Sequence, residues 1–244
     1  MLPKLPKSAR HRPHGLVILH EDADVLVIEK EPGLLSTETR KRESRTAEHI
    51  LTNYLRKGCS ASTRRAWLVH RLDRETSGVM IFAKSQSVRD RLKENWSLVE
   101  KLYIARLSRM PTSEGGILQS YLAEDSNLFV RVVPSEREGR LAQTAWRTIK
   151  AMPDGGAVVK VRLLTGRRNQ IRVQFADIGC PLLGDRKYNR HDHSHERLCL
   201  HAVSIAFPHP HTGEVLRFET PIPEVFGVTP EEFDIVEPPQ GKGV

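Results

Sequence analysis

Short apolar runs separated by turn signals recur along this chain with no regular alternation of strand and helix. That pattern constrains its fold more than any other feature. Residues 16–19 and 25–29 flank the turn-rich His20-Glu21-Asp22-Ala23-Asp24 and read as a hairpin, which Lys30-Glu31-Pro32-Gly33 then breaks. Further strands are expected over 79–83, 102–107, 128–133, 144–149 and 158–164. In the last of these, Lys160 and Arg162 alternate with Val159, Val161 and Leu163, which gives it one wet face. Residues 203–207 and 215–218, around a turn at 208–213, form another hairpin.

Helical periodicity is confined to three places. Thr46 caps a helix over 47–57 that buries Ala47, Ile50, Leu51, Tyr54 and Leu55, with Gly58 placed to end it. Ser85 caps a second helix through Trp96 that buries Val88 and Leu92. A third spans 169–178, with Ile171, Phe175 and Ile178 inward. Many strands and few helices without βαβ units predict an α+β fold with a mixed, mainly antiparallel sheet.

The chain has 244 residues, enough for a large core, and no apolar run long enough to span a bilayer. Residues 1–14 read as a flexible basic arm, and the length suits one large domain or two small ones. Three cysteines, Cys59, Cys180 and Cys199, are too few for a disulfide framework and suggest a reducing, cytoplasmic setting. The formal net charge of +8 favours a polyanionic partner, most often nucleic acid. The positive charge is clustered: Lys4 to Arg12, Arg40 to Arg45, Arg64-Arg65 and Arg167-Arg168.

One segment is too polar for an ordinary strand. Residues 70–78 read HRLDRETSG, lying between Trp67-Leu68-Val69 and the apolar run 79–83. A carboxylate among cations, as Asp73 is here, stays ionised and suits a nucleophile or base. The same residues also suit a surface turn laced with salt bridges. A glycoside-hydrolase reading would need two partnered carboxylates, and only Asp73 stands in a distinctive motif. His191-Asp192-His193-Ser194-His195, with Cys199 and His201 nearby, lacks the spacing of a zinc module and reads as a solvated loop. Trp67, Trp96 and Trp146 read as core residues.

HRLDRETSG matches at every fixed position the HRLDxxTSG motif of the RluA-type pseudouridine synthases. Residues 165–188, TGRRNQIRVQFADIGCPLLGDRKY, resemble that family's TGRxHQIR…GDxxY segment. Lys101-Leu102-Tyr103-Ile104-Ala105 resembles its KxYxA strand. ILHEDADVLVIEKEPGLLS and LHAVSIAFPHPHTGE resemble its opening hairpin and closing strand pair. The pieces come in family order over about residues 16–222. The resemblance implies isomerisation of uridine to pseudouridine in structured RNA, transfer or ribosomal, without metal or organic cofactor. It implies the pseudouridine synthase fold, a sheet flanked by helices and loops around a central catalytic cleft, with residues 15–244 as a single catalytic domain; a monomer is the default, and no membrane partner is expected.

By the same resemblance, Asp73 acts at ribose C1′, Arg172 pairs with it, and Tyr103 packs on the target base. Arg71 fills the space left by the flipped uridine, with His70 and Arg167 supporting the loop and the RNA. Leu72, Thr76, Ser77 and Gly78 shape the turn that presents Asp73. The sequence departs from the family at Asn169 and Gln174, where the family has histidines. Neither residue can serve as an acid or base, so neither is given a catalytic role. Glu31 takes the slot of the family's usual proline, with Pro32 one place later. A catalytically silent RNA-binding module would need the basic patches but not Asp73.

Overall fold

In the computed structural model, residues 14–38, 45–190 and 195–239 are described. The basic arm over 1–13, Arg40 to Arg42 and the loop from His191 to Ser194 lie outside them. In chain order the strands are β1 (Leu16–Glu21), β2 (Val25–Lys30), β3 (Trp67–Leu68), β4 (Ser77–Ala83), β5 (Glu100–Leu107), β6 (Gly115–Glu124), β7 (Val130–Val133), β8 (Arg140–Ala151), β9 (Ala157–Leu163), β10 (Leu200–Pro208) and β11 (Val215–Glu219). The helices are α1 (Ala47–Arg56), α2 (Gln86–Glu94), α3 (Gln170–Asp177) and α4 (Pro230–Ile235).

The chain divides into two compact units. One holds the residues up to Val99 and Ser204–Thr220, the other Glu100–Val203 and the residues from Pro221 on. In the first, β1-β2-β4 run antiparallel, β3 also pairs with β4, and the end of β10 pairs with β11. Asp22 makes the β1–β2 turn, its Oδ1 accepting the N–H groups of Asp24 (2.8 Å) and Val25 (2.7 Å). Val25 to Ile28 and Val79 to Ala83 are buried almost completely, with Leu51, Leu55 and Leu92. The Thr46 and Ser85 hydroxyls cap α1 and α2 as the sequence predicts. In the second unit the antiparallel order is β5-β9-β8-β6-β7. Leu102, Ile104, Val158, Leu183, Cys199, Val203, Phe226 and Phe233 form its main core cluster. The α+β architecture with a mainly antiparallel sheet is therefore the observed one.

Several details differ from the sequence reading. The second helix stops at Glu94, and Trp96–Leu98 forms a separate 3-10 turn. Ile178 is not inward: it follows α3 as its C-cap and is 43% exposed, because Gly179 turns the chain outward there. Leu128 is not in a strand; it adopts a left-handed turn (φ 63°) before β7. Trp146 is core, but Trp67 and Trp96 are half-buried. Trp67 lies under the Arg65 and Arg89 guanidiniums, 4.8 and 5.1 Å from its ring centroid. Strand β6 and helix α4 have no counterpart in the expectation.

Candidate active site

The HRLDRETSG segment leaves β3 and returns into β4 at Ser77, so Ser77 and Gly78 are strand rather than turn residues. The turn proper is Asp73 to Thr76, closed by the Thr76 N–H on the Asp73 carbonyl (3.2 Å). Both neighbours of Asp73 are clamped. The Ser36 hydroxyl donates to the Leu72 carbonyl (2.8 Å) and accepts the Leu72 N–H (3.1 Å). The Lys30 ammonium, wholly buried, donates to the carbonyls of Arg74 (3.0 Å), Glu31 (2.8 Å) and Leu34 (2.8 Å). The Gly33 N–H donates to the Arg74 carbonyl (2.9 Å), and Arg74 Nε returns a bond to the Gly33 carbonyl (3.1 Å). Asp73 is half-buried between these two fixed points.

His70 is committed to the scaffold. Its Nε2 accepts the Ile81 N–H (3.0 Å), so that nitrogen carries no proton here, and its ring lies 5.1 Å from the Trp96 ring. Arg71 is exposed, while Leu72, Thr76 and Ser77 are buried. Gly78 has φ 113°, a region closed to most side chains, and sits opposite Lys30 in the β2–β4 register.

Tyr103, Arg167 and Arg172 belong to the second unit. Tyr103 is buried on β5, and Lys101 two residues before it shares its face of the strand. Burial pushes the Lys101 ammonium down to about 8. Arg172 on α3 is gripped side-on by Asp185. Its Nε and Nη2 donate to Oδ2 (2.8 Å) and Oδ1 (2.7 Å), and its Nη1 end takes no part in this fork. Asp185 Oδ1 also accepts the N–H groups of Lys187 (2.9 Å) and Tyr188 (3.1 Å). Arg167 is exposed, held by its Nε on the Leu141 carbonyl (2.9 Å) and its N–H on Gln170 Oε1 (2.9 Å).

The strand–turn presentation of Asp73 and the order of the surrounding segments can be set against known proteins. Residues 24–177 match the RNA pseudouridylate synthase family. The chain belongs to that family. The enzyme is 35% identical over 217 residues to an uncharacterized RNA pseudouridine synthase, YjbO of Bacillus subtilis (strain 168), covering 87% of this chain and 74% of that one. It is 32% identical over 210 residues to the dual-specificity RNA pseudouridine synthase RluA of Escherichia coli (strain K12), covering 84% of this chain and 93% of that one. Human RNA Pseudouridylate Synthase Domain Containing 4 shares the fold, with a TM-score of 0.70 at 24% identity over 89% of this chain and 92% of that one. The enzyme is thus an isomerase with the pseudouridine synthase fold.

The synthase's two departures from the family histidines are both packed into its second unit. Asn169 precedes α3 with φ 51°, which Asn and His tolerate better than most residues. Its Oδ1 accepts from Lys187 Nζ (2.8 Å). Gln174 is 2% exposed; it accepts from the Thr144 hydroxyl (2.6 Å) and donates to Ser120 Oγ (2.9 Å) and the Ala142 carbonyl (3.1 Å). Sequence reasoning missed Lys30 and Ser36 as supports of the Asp73 turn and Asp185 as the partner of Arg172. A trace of Lys30 was readable, since it ends an apolar strand on the face of Leu26 and Ile28. Among the described residues, no group of three or more His, Cys, Asp or Glu is arranged for a metal ion, and no helix is long and apolar enough to cross a membrane.

Proposed function

We propose that this synthase isomerises specific uridines in structured RNA, transfer or ribosomal, through Asp73 acting at ribose C1′ of a flipped nucleotide. The reaction breaks the N1–C1′ bond, rejoins C1′ to C5 of the same base, and releases the C5 proton. Positive charge develops at the sugar as the first bond breaks, and a carboxylate can attack C1′, stabilise the cation or take a sugar proton. The observation that carries the reading is the double clamp on Leu72 and Arg74, which holds the Asp73 backbone fixed while its side chain stays half-exposed. Preorganisation of that kind is what a charge-stabilising group requires.

Arg172 serves as the aspartate's cationic partner, with its guanidinium plane set by Asp185. Tyr103 stacks on the target base; a phenol of ordinary pKa near ~10 is a poor proton acceptor, so stacking is its first role. Arg71, exposed beside the aspartate, fills the space the uridine vacates, since a planar cation stacks on bases. Arg167 contacts the RNA backbone, and His70 supports the loop through Ile81. The Escherichia coli relative is named a dual-specificity RNA pseudouridine synthase, which supports RNA as the substrate class. The test is Asp73→Asn, which keeps shape but not charge. The variant is expected to bind unfractionated transfer RNA like wild type and to form no pseudouridine, by carbodiimide mapping of the product. Full-rate product from the variant would sink the assignment.

A further inference from the structure

The second unit holds a cavity of about 580 Å3. Its volume falls in the ~300–1,000 Å3 range of ordinary ligand sites. It is walled by the end of β6, the turn from β7 into β8, and residues 166–168 before α3. Its ionic side chains are Glu124, Glu138, Arg140, Arg167 and Arg168.

These charges are not equivalent. Arg168 is neutralised by Glu124, Nη1 to Oε1 at 2.6 Å. Glu138 accepts the Ser135 hydroxyl (3.1 Å) and sits exposed at the rim. Arg140 and Arg167 are both exposed, and among the described residues no carboxylate pairs with either. The Arg167 side chain is anchored through Nε, so its Nη groups are not spent on that bond. The backbone allows close approach on one side. A Cβ at Gly166 would meet nothing within 4 Å, so this wall is bare peptide facing open space. The other side is rigid, because a Cβ at Gly139 would come 2.6 Å from Val133 Cγ2 and 2.9 Å from the Leu122 backbone.

Two guanidiniums with no ion-pair partner, against a single rim carboxylate, over a cavity of nucleotide size with a bare backbone wall, suit a phosphodiester. Arginine's fork matches phosphate oxygens in a bidentate manner. We infer that this cavity is a phosphate-binding subsite in which Arg140 and Arg167 hold the backbone of the substrate RNA. That the phosphodiester is RNA rests on the proposed function; the site itself rests on the cavity and its two arginines without a carboxylate partner.

The experiment measures binding of unfractionated transfer RNA to the full chain over a series of salt concentrations. For every phosphate that the protein no longer neutralises, the slope of log K against log salt becomes shallower by about 0.7–0.9. Arg140→Gln is expected to weaken binding roughly fivefold to tenfold at low salt and to reduce the slope by about that amount. Glu138→Gln removes a rim anion and is expected to tighten binding about twofold, a gain that misfolding does not produce. Unchanged affinity and slope in both variants would overturn the subsite. The proposed function is judged separately, by pseudouridine formation in wild type. An enzyme that binds the RNA with these variant effects but modifies nothing keeps the subsite and loses the reaction assignment.

Discussion

Asp185 Oδ1 accepts three N–H groups, from Arg172, Lys187 and Tyr188, so its orientation is set by the backbone and not only by its partner. Asp185→Asn removes a countercharge of a guanidinium that is only 8% exposed. Breaking one side of a buried pair costs about 3–5 kcal/mol. The urea midpoint of the variant is expected to fall accordingly, and pseudouridine formation with it. Lys30→Met keeps the stem but takes the ammonium donor away from three carbonyls. It is expected to destabilise by about 2–4 kcal/mol. Product formation should drop further than RNA affinity, because the clamp acts on Asp73 rather than on the RNA. Equal losses in both would remove Lys30 from the site's support. The turn that holds Asp73 was legible because the polar break between two apolar runs is local, nine consecutive residues. Lys30, Ser36 and Asp185 were not, because what defines them is a carbonyl or guanidinium 44, 36 or 13 residues away.

Strand β4 carries the element-scale argument. Its seven residues, SGVMIFA, are all buried, and its second position needs the glycine at φ 113° to leave the Asp73 turn and enter the ladder opposite Lys30. Gly78→Ala is expected to cost about 1–3 kcal/mol from backbone strain alone. The expected readout is a lowered thermal midpoint and reduced product; a variant matching wild type in both would mean that the turn tolerates another path. β4 could be read from sequence because burial on both faces leaves an unbroken apolar run. β6 could not. Among GGILQSYLAE only Leu122 is buried, so neither alternation nor an apolar run marks it. Helix α4 was hidden for another reason: it spans six residues, too few for a periodic stripe. Its signal is the capping box of Thr229 and Glu232 with Pro230 after the cap, in a stretch that reads simply as acidic. α3 misled in the opposite sense. Gln170 to Phe175 are all buried, so a one-faced pattern was the wrong template for it.

At the scale of the whole chain, the fold was legible as a class because strand count and order survive errors in single elements. The division into two compact units was not, since it depends on Ser204–Thr220 returning to the unit that ends at Val99. His201 is expected to make the second unit sensitive to acid. Its ring is wholly buried and lies 6.4 Å from that of Phe226, and its pKa is pushed down to about 3. Burial is the main cause and the nearby Arg197 adds to it, against a hydrogen bond to the Pro221 backbone that raises it. A histidine depressed from an ordinary value of 6.5 stays neutral in the fold while the unfolded chain takes up a proton. Its contribution is therefore complete above pH 6.5 and is lost as pH falls towards 3. Between pH 6.5 and 4.5 the loss reaches about 2–3 kcal/mol. Asp154, Glu231 and Glu232, held low first by backbone N–H groups, lose their contributions below that window. Glu21 and Asp22, which despite burial are held low by Lys84, Tyr54, His20 and backbone N–H groups, lose their contribution at lower pH. Glu29, raised by burial and then by Glu31, acts in the opposite direction. His201→Gln keeps a side-chain donor and removes the titration. Urea midpoints taken from pH 7 to 4.5 are expected to fall more steeply in wild type than in this variant. Parallel curves would mean that His201 is protonated without disrupting the core around Phe226.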